Sequence, residues 1–177
     1  VLGATDEFGR SLLSVAAEYG SMTVLEKLVA EKVDINAVDR FGITALMLAA
    51  TQSKSETTAA LLRAGAKIDL VDRAGRTALM HAAWADQAAQ IDALAQASAS
   101  LNLADARGWT ALDVAIQRER AQAAERLRSL GAVAKLGPAP QARSAGGMDP
   151  ARTGVLYQGW APLLVAVSRD DLETIKR

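Results

Sequence analysis

The residue pattern specifies an all-α solenoid, built of helix–turn–helix units that are joined by short hairpin loops and stacked in one dimension. Periodicity is the first reason. The stretches DEFGRSLLSVAAEYG from Asp6, DRFGITALMLAATQS from Asp39, DRAGRTALMHAAWAD from Asp72 and DARGWTALDVAIQRE from Asp105 are copies of one motif, with the Asp recurring every 33 residues. A fixed period of this length marks stacked supersecondary units rather than one compact core. Composition is the second reason: half of the 177 residues are hydrophobic, yet only 4% are aromatic, so the core has to be made of Ala, Leu and Val. The third is that every copy carries the same start and stop signals in the same order.

Each unit opens on an Asp-x-x-Gly turn, whose short acidic side chain is suited to accept backbone hydrogen bonds in its own turn. Ser11, Thr44, Thr77 and Thr110 follow, placed to cap a helix through the side-chain oxygen. A short Ala/Leu helix comes next and then a second one, as in SMTVLEKLVAEK and SETTAALLRAG. Gly65 and Gly131 stand where a helix end needs a left-handed residue. DINAVD, IDLVD and LNLAD are then extended and feed the next turn, with Asn36 and Asn102 explained by hydrogen bonding in the hairpin. Leu13, Leu46, Leu79 and Leu112, with the Ala pairs after them, are expected to form the layer between neighbours. In QRERAQAAERLRSLG, Arg128 stands where earlier units have Val29, Leu62 and Ala95, the polar exchange expected of a capping repeat.

This order of turn, helix pair and hairpin resembles the ankyrin repeat, whose signature includes Gly-x-Thr-Pro-Leu-His-x-Ala-Ala. The resemblance covers residues 6 to 133 in four units, with departures. Ala45, Ala78 and Ala111 replace the family's proline, which gives up some pre-organisation at the first helical turn. The family's histidine place holds Ser14, Met47, Met80 or Asp113. The lone histidine, His81, lies one place later, aligned with Val15, Leu48 and Val114, and reads as a partly buried scaffold side chain.

The expected organisation is four repeats over residues 1–133, with units starting near 6, 39, 72 and 105, then a Pro/Gly/Ala-rich linker over 134–153. At 154–177, GVLYQGWAPLLVAVSRDDLETIKR restarts the pattern as a partial fifth repeat, and Val1 to Thr5 resemble the tail of another unit. Two arrangements stay open. The chain is a piece of a longer array, or residues 154–177 pack beside repeat 1, in the same chain or exchanged between two. Reach permits the second, since a linker of 20 residues spans up to ~66–72 Å, against ~32–40 Å for four helix layers.

Several function classes are excluded or disfavoured. Basic and acidic residues balance at 20 each, unlike a typical nucleic-acid binder. With no cysteine there is no disulfide framework, thiolate metal site or cysteine nucleophile. No apolar run reaches the ~18–20 residues of a membrane span, and VLGATDEFGR lacks the order of a signal peptide. A soluble protein is expected, with the cytoplasm favoured. No phosphate-binding, zinc-protease or nucleophile-elbow motif is present, and RSAGGMDPARTG reads as linker. His81 lacks the companions that metal binding or catalysis requires. No enzyme activity, cofactor or metal is expected.

What varies between copies is informative. In the ankyrin family the second, third and fifth places of the turn, and the two places after the Ala pair, line the concave face where partners usually bind. Here they supply Phe8, Arg10 and Tyr19 in unit 1, and Arg40, Phe41 and Ile43 in unit 2. Unit 3 contributes Arg73, Arg76 and Trp84, and unit 4 contributes Arg107, Trp109 and Arg118. All five aromatics of the four units fall on these places. A tight Ala stack explains why rings leave the core, but not why they avoid the outer helices and hairpin tips. Trp, Tyr and Arg dominate interface energies, so the expectation is a protein partner on this face. Six arginines against two glutamates at these places point to an acidic partner segment. The alternatives are a regulatory fragment of a larger enzyme or effector, and nucleic-acid binding, which the neutral charge disfavours; self-association through residues 154–177 is a further possibility.

Overall fold

The computed structural model describes residues 5–135. Eight helices lie within them, paired unit by unit: α1 (Leu12–Tyr19) with α2 (Met22–Ala30), α3 (Ala45–Ala49) with α4 (Ser55–Arg63), α5 (Ala78–Trp84) with α6 (Ala88–Gln96), and α7 (Ala111–Gln117) with α8 (Ala121–Ser129). The odd-numbered helices pack on one another in chain order and the even-numbered helices form a second layer behind them. Among the described residues there is an isolated antiparallel bridge at Thr5–Ser11 and another at Val38–Thr44. The partial fifth repeat and most of the linker before it lie outside the described residues.

The helices begin where the hydroxyl residues stand. Ser11, Thr44, Thr77 and Thr110 are extended and accept the N–H three residues on, at 3.2, 3.3, 3.4 and 3.3 Å. In unit 4 the cap is reciprocal. Asp113, at the place of the family's histidine, accepts both the backbone N–H and the hydroxyl of Thr110 at 2.8 Å each, which makes a capping box. The second helices end in a left-handed residue: Gly65 (φ 93°) and Gly131 (φ 85°) as expected, but Lys32 (φ 55°) and Ser98 (φ 66°) in the other two units.

Each turn is organised by its Asp. One carboxylate oxygen accepts the N–H groups two and four residues on: Phe8 and Arg10 at 2.9 Å for Asp6, Phe41 and Ile43 at 2.8 and 2.9 Å for Asp39. Asp72 takes Ala74 and Arg76 at 2.9 Å, and Asp105 takes Arg107 and Trp109 at 2.8 and 3.0 Å. The turns also bind one another. Arg40 N–H donates to Phe8 C=O at 3.0 Å, Arg73 to Phe41 at 2.8 Å, and Ala106 to Ala74 at 2.9 Å. At Gly75 (φ +76°) an added Cβ would lie 2.7 Å from Ala106 N, so the close approach of units 3 and 4 needs glycine there.

Between the layers sit Leu13, Leu46, Leu79 and Leu112, 2–3% exposed, and Ala16, Ala17, Ala49, Ala50, Ala82 and Ala83 at 0%. Methyl-sized side chains at these places allow the odd helices to approach closely, and such a contact is sensitive to single methylenes. The hairpins staple unit to unit rather than closing on themselves. Asn36 accepts Lys67 N–H at 2.8 Å, Asp69 accepts Ser100 N–H at 3.1 Å, and Asn102 accepts Val133 N–H at 2.8 Å. The hairpin role read from the sequence for Asn36 and Asn102 is thus an inter-unit one. Arg128 is exposed where Val29, Leu62 and Ala95 are half-buried.

Candidate protein-binding face

Side-chain contacts join the turn tips to the odd helices, so that both contribute to one surface. In unit 3, Asp72 Oδ2 receives Arg76 Nε at 2.8 Å and His81 Nε2 at 3.0 Å. The Asp72 side chain is 1% exposed. Burial pushes its carboxyl up, but the hydrogen bonds from His81 and from Arg76 N–H, with the Arg76 charge, outweigh it and hold the group well below the usual carboxylate range. His81 therefore ties α5 to its own turn, as a scaffold side chain.

Unit 1 closes on itself. Arg10 reaches Glu18 Oε2 at 3.0 Å and Asp6 Oδ2 at 3.4 Å, and is only 6% exposed. Burial raises the Glu18 carboxyl despite the Arg10 charge beside it. Arg10 is thus placed in the interior of its unit, not on an open surface as its turn place had suggested.

Units 3 and 4 place arginines and indoles side by side. Arg107 holds Asp105 through Nε at 3.0 Å and Nη2 at 2.7 Å, and its guanidinium carbon lies 3.9 Å from the centre of the Trp109 ring. The Asp105 carboxyl is pushed up by burial but lowered overall by the N–H of Trp109 and by Arg107. Arg118, at the end of α7, lies over the Trp84 ring of the preceding unit at 3.3 Å. Burial lowers the Arg118 pKa, and the charges of Arg107, Arg120 and Arg76 act in the same direction. Arg120 Nε donates to Trp84 C=O at 3.0 Å, holding the two units together beside the indole.

Ankyrin repeats, in three copies, match residues 13–105. The chain belongs to the ankyrin-repeat family. No curated protein matches it. Ankyrin repeats are in general protein–protein interaction modules and are typically non-catalytic.

In this ankyrin array the expected face residues fall into three groups. Tyr19 (43%) and Phe41 (42%) are the exposed aromatics, and Arg40, Arg73, Arg107 and Arg118 are exposed as well. Phe8, Ile43, Trp84 and Trp109 are half-buried and pack against the core, so their rings serve both scaffold and surface. Arg76 is half-buried on its turn Asp, and Arg10 is buried. Among the described residues, Arg40, Arg73 and Arg118 have no carboxylate within ion-pair distance. Sequence reasoning missed Arg120, which sits at the helix-start place of α8, where the other units have Ser21, Lys54 and Gln87 and so give no periodic signal. The crossing of Arg118 onto Trp84 was also missed, because the two are 34 residues apart and meet only when units stack.

Among the described residues no group of three or more His, Asp or Glu side chains could hold a metal ion, and no helix is long and apolar enough to cross a membrane.

Proposed function

We propose that this ankyrin array is a non-catalytic interaction module that binds a protein partner on the concave face formed by its turn tips and odd-helix ends. The observation that carries the reading is the Trp84–Arg118 stack. An indole and a guanidinium, two of the side chains most enriched in interface hot spots, lie face to face across a unit boundary on a surface without carboxylate partners for Arg118. Such an arrangement is pre-organised: the ring is braced by the core and the guanidinium by the ring, so little side-chain entropy remains to be lost when a partner arrives. Tyr19, at the place in unit 1 that Arg118 holds in unit 4, and Phe41, in the turn of unit 2, are exposed aromatics of the same reading.

The test is capture of partners from source lysate by the chain and by a Trp84→Ala/Trp109→Ala variant, with each captured protein then purified and titrated. The double variant removes both rings, and circular dichroism checks that it remains folded. A partner held by the parent and lost by the folded variant supports the reading. Equal affinity for the two proteins overturns it.

A further inference from the structure

Two cations of unit 4 hold a single residue of unit 3. Arg118 stands at the end of α7 and Arg120 at the start of α8. The Arg118 guanidinium lies 3.3 Å over the Trp84 ring, and Arg120 Nε donates to the Trp84 C=O at 3.0 Å. Each contact uses only part of its guanidinium. A stacked Arg118 keeps its in-plane N–H groups for a forked contact, and Arg120, held through Nε, keeps its two terminal nitrogens. Both side chains are exposed. Among the described residues neither has a carboxylate within ion-pair distance. Asp72 is paired with Arg76 and His81, Asp105 with Arg107, and Asp86 accepts the Ala123 N–H at 2.8 Å. Glu119, exposed between the two arginines, forms no ion pair among the described residues. The charges that bear on Arg118 are those of Arg107, Arg120 and Arg76, all positive. Arg76 and Arg107 are balanced by their turn aspartates, so Arg118 and Arg120 are the surplus.

From this juxtaposition on Trp84 we infer that Arg118 and Arg120 form a two-guanidinium clasp for a phosphate monoester, carried on a phosphorylated side chain of the protein partner. The inference rests on the reading of this face as the partner site. Charge decides the class of ligand. A carboxylate brings one negative charge and leaves the second guanidinium uncompensated. A phosphate monoester brings about 1.5–2 negative charges at neutral pH and three strong acceptor oxygens, enough for the edges of both arginines. Arginine clusters recognise such groups through forked, charge-assisted hydrogen bonds. The clasp also exists before the ligand arrives: the Trp84 ring fixes one guanidinium and the Trp84 carbonyl the other, so little rotamer freedom remains to be lost. Phosphodiesters are disfavoured as occupants. Affinity for a nucleic-acid strand grows with the number of phosphates neutralised along it, whereas the clasp is a single point on a chain of zero net charge.

The experiment uses the full chain and a fluorescein-labelled Ala/Gly peptide with one central phosphoserine, read by fluorescence anisotropy. Comparison peptides carry Glu or Ser at that place, and inorganic phosphate and a twelve-residue oligothymidylate serve as competitors. The phosphopeptide is expected to bind more tightly than any of these. Arg118→Gln and Arg120→Gln should each weaken it by about tenfold, as befits loss of a charge-assisted pair. Arg118→Lys should still lose about threefold or more, because an ammonium supplies charge without the planar fork. Circular dichroism checks each fold, and Arg118→Lys decides the matter if Arg118→Gln does not fold. Arg63→Gln, on α4 in the other layer, should leave binding unchanged. A loss of less than about threefold in folded Arg118→Gln overturns the inference. A phosphopeptide no tighter than the Glu peptide overturns it too, as does preference for the oligonucleotide or for inorganic phosphate. The two readings fail separately. A natural partner lost by the Trp84→Ala/Trp109→Ala variant but still bound after phosphatase treatment leaves the face standing and removes the clasp.

Discussion

Replacing Gly75 with Ala isolates the contribution of the contact between turns. Gly75 and Gly108 occupy the same place in successive units, with φ of 76° and 83°. Both substitutions place a Cβ in the left-handed region, which costs ~1–2 kcal/mol, and both gain ~0.4–1 kcal/mol from a stiffer unfolded chain. Gly108→Ala, with no atom of the described residues within 4 Å of the new Cβ, should therefore destabilise by about 0–1.5 kcal/mol. At Gly75 the Cβ would sit 2.7 Å from Ala106 N and 3.2 Å from Asp105 C, both backbone atoms that cannot rotate away. The turns must separate, and the Ala106-to-Ala74 hydrogen bond of 2.9 Å is stretched or lost, a further ~0.5–1.5 kcal/mol before any packing loss. Gly75→Ala is thus expected to cost at least ~0.5 kcal/mol more than Gly108→Ala in urea melts followed by circular dichroism. Equal midpoints for the two variants would refute the reasoning, because they share every term except the inter-unit contact.

Three further outcomes follow from the same geometry. Leu79, 2% exposed between units, should cost ~2–5 kcal/mol as Leu79→Ala in a chemical melt, and an unchanged midpoint would contradict its place in the stack. Thr110→Ala removes the oxygen that caps α7 and strips Asp113 of a hydrogen-bond donor; a loss of ~0.5–2 kcal/mol is expected, against no change if the cap is dispensable. Asp72 has a folded-state pKa held below its unfolded value near ~3.9, so its contribution is present above that pH and is lost as pH falls through the folded value. Asp72→Asn should be less stable than the parent at pH 7, with the difference shrinking below about pH 4; a constant gap across that range would contradict the assignment.

Much of the scaffold was legible because it repeats. The turn Asp, the capping hydroxyl and the Leu of the layer each recur at a fixed place in four copies, and the Ala pair in three, with Ala115-Ile116 in the fourth; a pattern that recurs so often leaves little room for another fold. What the sequence could not show is set by contacts between places. Arg10 occupies the same turn place as Arg76 and Trp109 but is buried, because Glu18 stands opposite it in unit 1 where unit 3 has Trp84. Opposite charges at those two places of one unit were the available signal for a pair that closes on itself. Trp84 and Trp109 are likewise half-buried rather than fully displayed, since a large ring beside an Ala-rich helix covers the small side chains next to it. Lys32 and Ser98 adopt the left-handed conformation without glycine, which residue type alone does not announce.

The most direct test of partner binding on the concave face is hydrogen exchange on the chain with and without its captured partner. The account predicts added protection at the turns around residues 72–76 and 105–109 and at the end of α7, with α2, α4, α6 and α8 little changed. Protection confined to those even-numbered helices would contradict it.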